Sequence, residues 1–251
     1  MNSLATSFIA FTCILGGALL GFRLRTFLPE AHLSSASRDV VKLGMGTIAT
    51  MTALLLGLLV TSAKNSFDSQ SRGLTEMSAK IILLDRALAH YGPEAKEARD
   101  LLRTVVVRLI DETWPAKGTA QTISVPSASR SEILYDKLQE LKPETDGQRQ
   151  LLTRALSLAA DIGQTRWLLV EQGLTPVSRP LIVVIIFSLT ITFMSFALHS
   201  PPNGTLVVTF MLAAVSVSGV LFLILEMYTP FSGLIEISSA PLRAALAYLG
   251  Q

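Results

Sequence analysis

The sequence predicts an all-α integral membrane protein: four transmembrane helices, two N-terminal and two C-terminal, with a central extramembrane helical bundle. Three observations predict it. Half of the 251 residues are hydrophobic and 16% are charged, against about 25% charged in a soluble domain. The charges are segregated, since Lys64 to Arg179 holds 31 of the 40 in 116 residues and the other 135 residues hold nine. Finally, the charge-poor remainder contains four stretches near the roughly 20 apolar residues that a bilayer core demands. The single Cys excludes a disulfide scaffold, and a net charge of +2 does not suggest nucleic-acid binding. The expected divisions are 1–63 for the first two spans (4–22 and 43–63), 64–179 for the charged helices, 180–226 for a transmembrane hairpin (181–198 and 205–225) and 227–251 for a tail.

Met1 to Phe22 carries no charged side chain and is followed at once by Arg23 and Arg25. It lacks the basic start and the small-x-small cleavage site of a signal peptide, so it reads as a retained span. Its Gly17-x-x-x-Gly21 pair suits a close helix approach. Leu43 to Ala63 forms the second span. Thr47, Thr50, Leu54, Gly57 and Thr61 are spaced 3, 4, 3, 4 and share one helical face. Two readings fit that stripe. Hydroxyls and small residues can line a pore, and they can also seat another helix closely.

No proline falls between Leu43 and His90, so the second span can run on into the polar region as one helix. The alternative is a bend near Gly73. Within that region Leu74, Met77, Ile81, Leu84, Leu88 and Tyr91 repeat at 3, 4, 3, 4, 3. The seam is short for a coiled coil and fits a helix packed in a bundle. Gly92-Pro93 ends the helix. The next presents Ala98, Leu102, Val105 and Leu109 and stops at Trp114-Pro115. After a Ser/Thr/Pro/Ala-rich loop, Ser129-x-x-Glu132 fits a capping box opening a short helix to Leu141. A long helix over about 144–172 then presents Leu151, Ala155, Leu158 and Ile162.

From Arg179 to Glu226 no charge intervenes, too long a run for one span. His199, Pro201, Pro202 and Asn203, with Gly204, interrupt it, because prolines remove donors and Asn-Gly favours a turn. Glu226 ends the fourth span, and the following turn is expected to supply its hydrogen bonds. The tail's apolar residues must pack on the polar bundle, lie at the interface or meet another subunit.

No catalytic constellation is present. His32, His90 and His199 do not make a metal spacing, and Cys13 sits in an apolar span as a small hydrophobe. The chain is therefore not read as an enzyme, and no cofactor or metal is expected. Asp85-Arg86 and Glu97-Ala-Arg99-Asp100 read as surface or intersubunit ion pairs.

Several phrases carry a family resemblance. They include Ser37-Arg-Asp-Val-Val-Lys-Leu-Gly44, Leu83-Leu-Asp-Arg86 with Tyr91-Gly-Pro-Glu94, and Gly163-Gln-Thr-Arg-Trp167. Phe222-Leu-Ile-Leu-Glu226, the turn Pro230, Phe231 and Gly233, and Ser238-Ser-Ala-Pro-Leu-Arg243 complete the set. Together they resemble the bacterial bestrophin-like family, itself distantly similar to the bestrophin anion channels. The resemblance implies a homo-oligomer, a pentamer by likeness to bestrophins, in a lipid bilayer, with inorganic anions as the conducted species. It also implies a bacterial inner membrane and cytoplasmic termini and middle region. Charge alone does not decide orientation, because the basic residues near the span ends are nearly balanced. Animal bestrophins follow the Pro-Phe-Gly turn with a run of calcium-binding acids. Here Leu234, Ile235, Glu236 and Ile237 follow, with one acid, so a calcium clasp is not supported. The second span also lacks the aromatic cluster of the bestrophin neck, and the nearest counterparts that the resemblance implies for a hydrophobic constriction are Leu55, Leu56 and Leu59, aliphatic side chains able to gate by dewetting. The functional expectation is an ion channel with a cytosolic helical vestibule. The alternative is a non-conducting scaffold or sensor whose charged helices bind a partner.

Overall fold

A computed structural model describes residues 2–27, 35–115, 128–174 and 178–250. Among these residues the ordered elements are helical. They are α1 (Ser3–Arg25), α2 (Ser35–Tyr91), α3 (Lys96–Thr113), α4 (Ala128–Gln139), α5 (Asp146–Leu174), α6 (Arg179–Leu198), α7 (Gly204–Met227) and α8 (Ala240–Tyr248). Four of them are long and apolar enough to cross a membrane: α1, α2, α6 and α7. The Ser/Thr/Pro/Ala-rich loop and most of the first connection lie outside the described residues. The chain divides into two compact units, Met1–Ser66 with Pro176–Tyr228, and Phe67–Thr175 with Thr229–Gln251.

In the first unit α1 packs on α6 and α7. Gly17 and Gly21 are the reason α1 and α6 come close. A Cβ at Gly17 would stand 2.9 Å from the Thr190 carbonyl oxygen, and one at Gly21 would collide with the Met194 carbonyl. Because 17 meets 190 and 21 meets 194, α1 and α6 run parallel. The contact is the small-x-x-x-small kind that lets membrane helices pack through their backbones. Ala10, Leu59, Ala63, Ile185, Leu221 and Ile224 form one buried cluster of this unit, and Ala18, Phe22 and Ala197 form another. In the second, Phe22 and Phe193 each lean on Phe210, with ring centroids 5.7 and 5.8 Å apart.

The hairpin between α6 and α7 is built by capping. His199 brings Nδ1 to 2.8 Å from the Ser195 carbonyl oxygen. Pro201 and Pro202 stand exposed between the helices. The Asn203 side chain accepts a 2.8 Å hydrogen bond from the Leu206 N–H, and Gly204 opens α7. Asn203-Gly204 is therefore a helix start rather than a turn in its own right, because Asn serves as an N-cap residue as readily as it does in turns.

In the second unit the predicted seam is buried throughout: Leu74, Met77, Ile81, Leu84, Leu88 and Tyr91 are each at most 3% exposed. They join residues of α3, α4, α5 and α8 in one core, as a bundle helix does. The α2 helix continues through Gly73 without interruption, and a Cβ there would stand 3.2 Å from the Leu169 side chain. The face of α3 differs from the expected one. Ala98, Leu102, Val106 and Ile110 are buried, while Val105 and Leu109 are only half-buried. A fourfold repeat replaces the mixed one because Val105-Val-Val107 offers apolar side chains on several faces, so periodicity alone is ambiguous. On α5, Leu151, Leu158 and Ile162 pack partly buried around the fully buried Ala155. Helix α4 begins at Ala128. Ser129 thus lies inside the first turn, and the predicted capping box does not mark this start.

The tail joins the same core through Ile237, Leu242, Ala245 and Leu249. Helix α8 escaped the sequence reading. Its signal was present: Pro241 in the first turn, and Leu242, Ala245, Leu246 and Leu249 at i, i+3, i+4 and i+7. Trp114 holds the approach to it, donating from Nε1 to the Ile237 carbonyl oxygen at 2.9 Å.

Of the charged phrases, Glu97 makes a surface ion pair with Lys137 at 3.0 Å, as expected, whereas Asp85 and Arg99 pair inside the unit. Asp85 is 2% exposed. It accepts from Arg99 through both oxygens, Nε to Oδ1 at 2.8 Å and Nη2 to Oδ2 at 3.0 Å. That two-point hydrogen bond raises the guanidinium pKa. The fork geometry compensates the burial of the carboxylate.

Candidate functional site

The site that sequence reasoning singles out is a face of α2 in the first unit. Thr52, Leu59 and Ala63 are the buried residues of this segment and define its packing side. Thr52 to Leu54 and Leu59 to Thr61 are two-residue steps, or about 200° of helical turn. The stripe Thr47, Thr50, Leu54, Gly57 and Thr61 therefore lies diametrically across the helix from the packing side. All five residues are exposed, Leu54 at 71%. A Cβ added at Gly44, Gly46 or Gly57 would meet nothing within 4 Å. Close packing against the other described residues is thus not what these small residues serve.

The hydroxyls on that face are oriented. Thr47 donates to the Leu43 carbonyl at 3.1 Å, Thr50 to Gly46 at 2.8 Å and Thr61 to Gly57 at 2.9 Å. Each hydroxyl proton is committed to the preceding turn of its own helix. What remains for anything beyond the face is the second side of each oxygen, an acceptor, together with methyl groups.

Leu55, Leu56 and Leu59 are placed on the other side. Leu59 is 5% exposed in the cluster with Ile185, Leu221 and Ile224, and Leu55 and Leu56 are half-buried against it. They stand across the helix from the Thr/Gly stripe, so the two candidate sets do not share one surface. The aliphatic side chains that do share it are Leu54 and Leu58, at 71% and 66% exposure. Sequence reasoning missed Leu58, although its step of four from Leu54 would have found it.

Glu226, at the end of α7, is 4% exposed and accepts a hydrogen bond from the Ser3 hydroxyl. This donor comes from the first turn of α1, a source beyond the turn that follows Glu226. Ser3 supplies it because α1, parallel to α6, runs antiparallel to α7 and brings its first turn to the end of α7. Ser7 in turn donates to the Ser3 carbonyl at 2.8 Å.

The remaining motif residues lie in the second unit. Pro230 is buried, and its carbonyl accepts from the Ile237 N–H at 2.7 Å. Phe231 meets Trp114 edge-on at 5.7 Å. Gly233 has φ of +113°, a backbone conformation that favours glycine. These residues form a structural turn that seats the tail. Among the described residues no group of three or more His, Cys, Asp or Glu is placed to hold a metal ion.

No curated protein sequence matches the chain. Among solved structures it is similar to the crystal structure of a bacterial bestrophin homolog from Klebsiella pneumoniae carrying a point mutation. The TM-score is 0.66 at 14% identity, over 96% of this chain and 96% of that one. At that identity the likeness speaks for the fold. The model of the bestrophin-like domain matches residues 12–242, nearly the whole sequence, and on that match the chain belongs to the bestrophin-like family.

Proposed function

We propose that copies of this chain assemble in a membrane into an ion channel whose conduction path is lined by the Thr47–Thr61 face of α2. The observation that carries this reading is the complete exposure of that face. A row of Thr and Gly points away from its own chain, in a segment apolar enough to sit in a bilayer. Such a face must meet lipid, another copy or water, and oxygen-bearing small residues are suited to water. Ions passing there would keep most of their hydration, because the hydroxyl protons are already given to the helix. The family resemblance supplies the finer parts of the proposal: a pentamer, small inorganic anions as cargo, a bacterial inner membrane, and cytoplasmic termini and middle helices. Four spans would put the termini and the middle region on one side of the membrane.

The decisive experiment is flux through purified protein in liposomes under chloride and sodium gradients. Flux above that of empty vesicles is expected, and its absence under every gradient would sink the channel reading in favour of a scaffold. A second test labels Thr50→Cys in a Cys13→Ser background, needed because Cys13 is itself exposed. The new thiol is expected to react with water-soluble reagents. Protection in every state would mean that lipid or a neighbouring helix covers the face.

A further inference from the structure

The second unit contains a cleft that the channel reading does not use. It has a volume of about 380 Å³ and lies over the first turns of α3, with Gly92, Lys96, Arg99, Asp100, Arg103 and Gly250 in its wall. Three cations face it with one acid. Lys96, Arg99 and Arg103 are spaced 3 and 4, so one face of α3 presents all three. Lys96 is the first residue of α3 and sits where the helix dipole is positive.

The cations are prepared in different ways. Arg99 is held in place from behind by Asp85, so its position costs little ordering when a ligand arrives. Lys96 and Arg103 make no ion pair among the described residues and are exposed. Gly250 closes the wall beside Arg103 with φ of +88°, a backbone conformation that favours glycine, and a Cβ there would be in ordinary contact with Arg103 Nη1 at 3.7 Å. Two guanidinium side chains and one ammonium lining one concavity suit the oxygens of a tetrahedral anion, which accepts several charge-assisted hydrogen bonds at once. The volume also exceeds what a bare phosphate fills and falls within the range of small-ligand sites.

We propose that this cleft binds a phosphate group through Lys96, Arg99 and Arg103, with Asp100 limiting the affinity. The group is carried either by a small free solute or by a lipid headgroup. The proposal is independent of whether the chain conducts.

The test uses the full chain in nanodiscs of phosphatidylcholine, titrated calorimetrically with pyrophosphate at constant ionic strength. Saturable binding is expected. The double variant Lys96→Gln/Arg103→Gln should weaken it by about tenfold or more, since two charge-assisted contacts are lost. Asp100→Asn should tighten it, a gain that a damaged fold would not produce. Repeating the titration in phosphatidylglycerol nanodiscs separates the sources. Pyrophosphate binding that weakens there for the unaltered chain but not for the double variant identifies the headgroup as the occupant. Equal binding in both lipids identifies a free solute. No saturation below about 10 mM in either lipid, or equal affinity in the unaltered chain and the double variant, would overturn the proposal.

Discussion

Helix α1 and the membrane-spanning part of α2 are matched in length class and apolarity, and both are dotted with small residues, yet they use them in opposite ways. In α1, 33% of the most apolar window is buried; in α2 only 11% is. Gly17 and Gly21 of α1 lie against the backbone of α6, whereas Gly44, Gly46 and Gly57 of α2 have open space where a side chain would go. A glycine in a membrane helix therefore has no fixed meaning. It marks an internal contact in α1, and in α2 it marks a surface that no other described residue covers.

The comparison can be broken by matched substitutions. The largest effect on stability is expected from Gly21→Leu, which drives a side chain into the Met194 carbonyl. Backbone cannot yield as a side-chain tip can, so a loss of about 3 kcal/mol is expected, the upper end of overpacking costs. Thermal unfolding in detergent reads it, and an unchanged midpoint would mean that α1 and α6 are not in contact. Next comes Ser3→Ala, which removes a hydrogen bond to a buried carboxylate and should cost about 1–2 kcal/mol. If instead stability rises, Glu226 does not depend on α1. Asn203→Ala removes the cap of α7 and should cost about 1 kcal/mol, again read by unfolding. Smallest on stability is Gly57→Leu, expected within about 0.5 kcal/mol of the parent because among the described residues nothing lies within 4 Å of where its Cβ would stand. The same variant should lose most of its liposome flux or its assembly on size exclusion. A Gly57→Leu chain that melts as early as Gly21→Leu would erase the distinction between the two helices.

Much of this architecture was legible in the sequence. Uncharged length announced the spans, and proline with Asn203 announced the hairpin, because lipid tolerates neither charge nor unsatisfied backbone. The seam from Leu74 to Tyr91 was legible because its polar neighbours left one periodicity. The face of α3 was not, since Val105, Val106, Leu109 and Ile110 allow two registers one residue apart. The Gly17/Gly21 pair was visible as a motif, but its partner helix was not, since spacing on one helix carries no information about which other helix fits it. At the candidate site the stripe itself was readable. The opposition between it and Leu55, Leu56 and Leu59 was also implicit in helical geometry, and burial makes it plain. The pairing of Asp85 with Arg99 was hidden because 14 residues and a turn separate them.

The contact between Trp114 and the Ile237 carbonyl has an optical consequence. The chain has two tryptophans. Trp167 is 52% exposed, and Trp114 is half-buried with its indole N–H bound to backbone. An aqueous quencher such as iodide should extinguish the emission of Trp167 first and spare the bluer component. In a Trp167→Phe chain, a single emitter would remain, and its colour would report whether the C-terminal segment is seated or released.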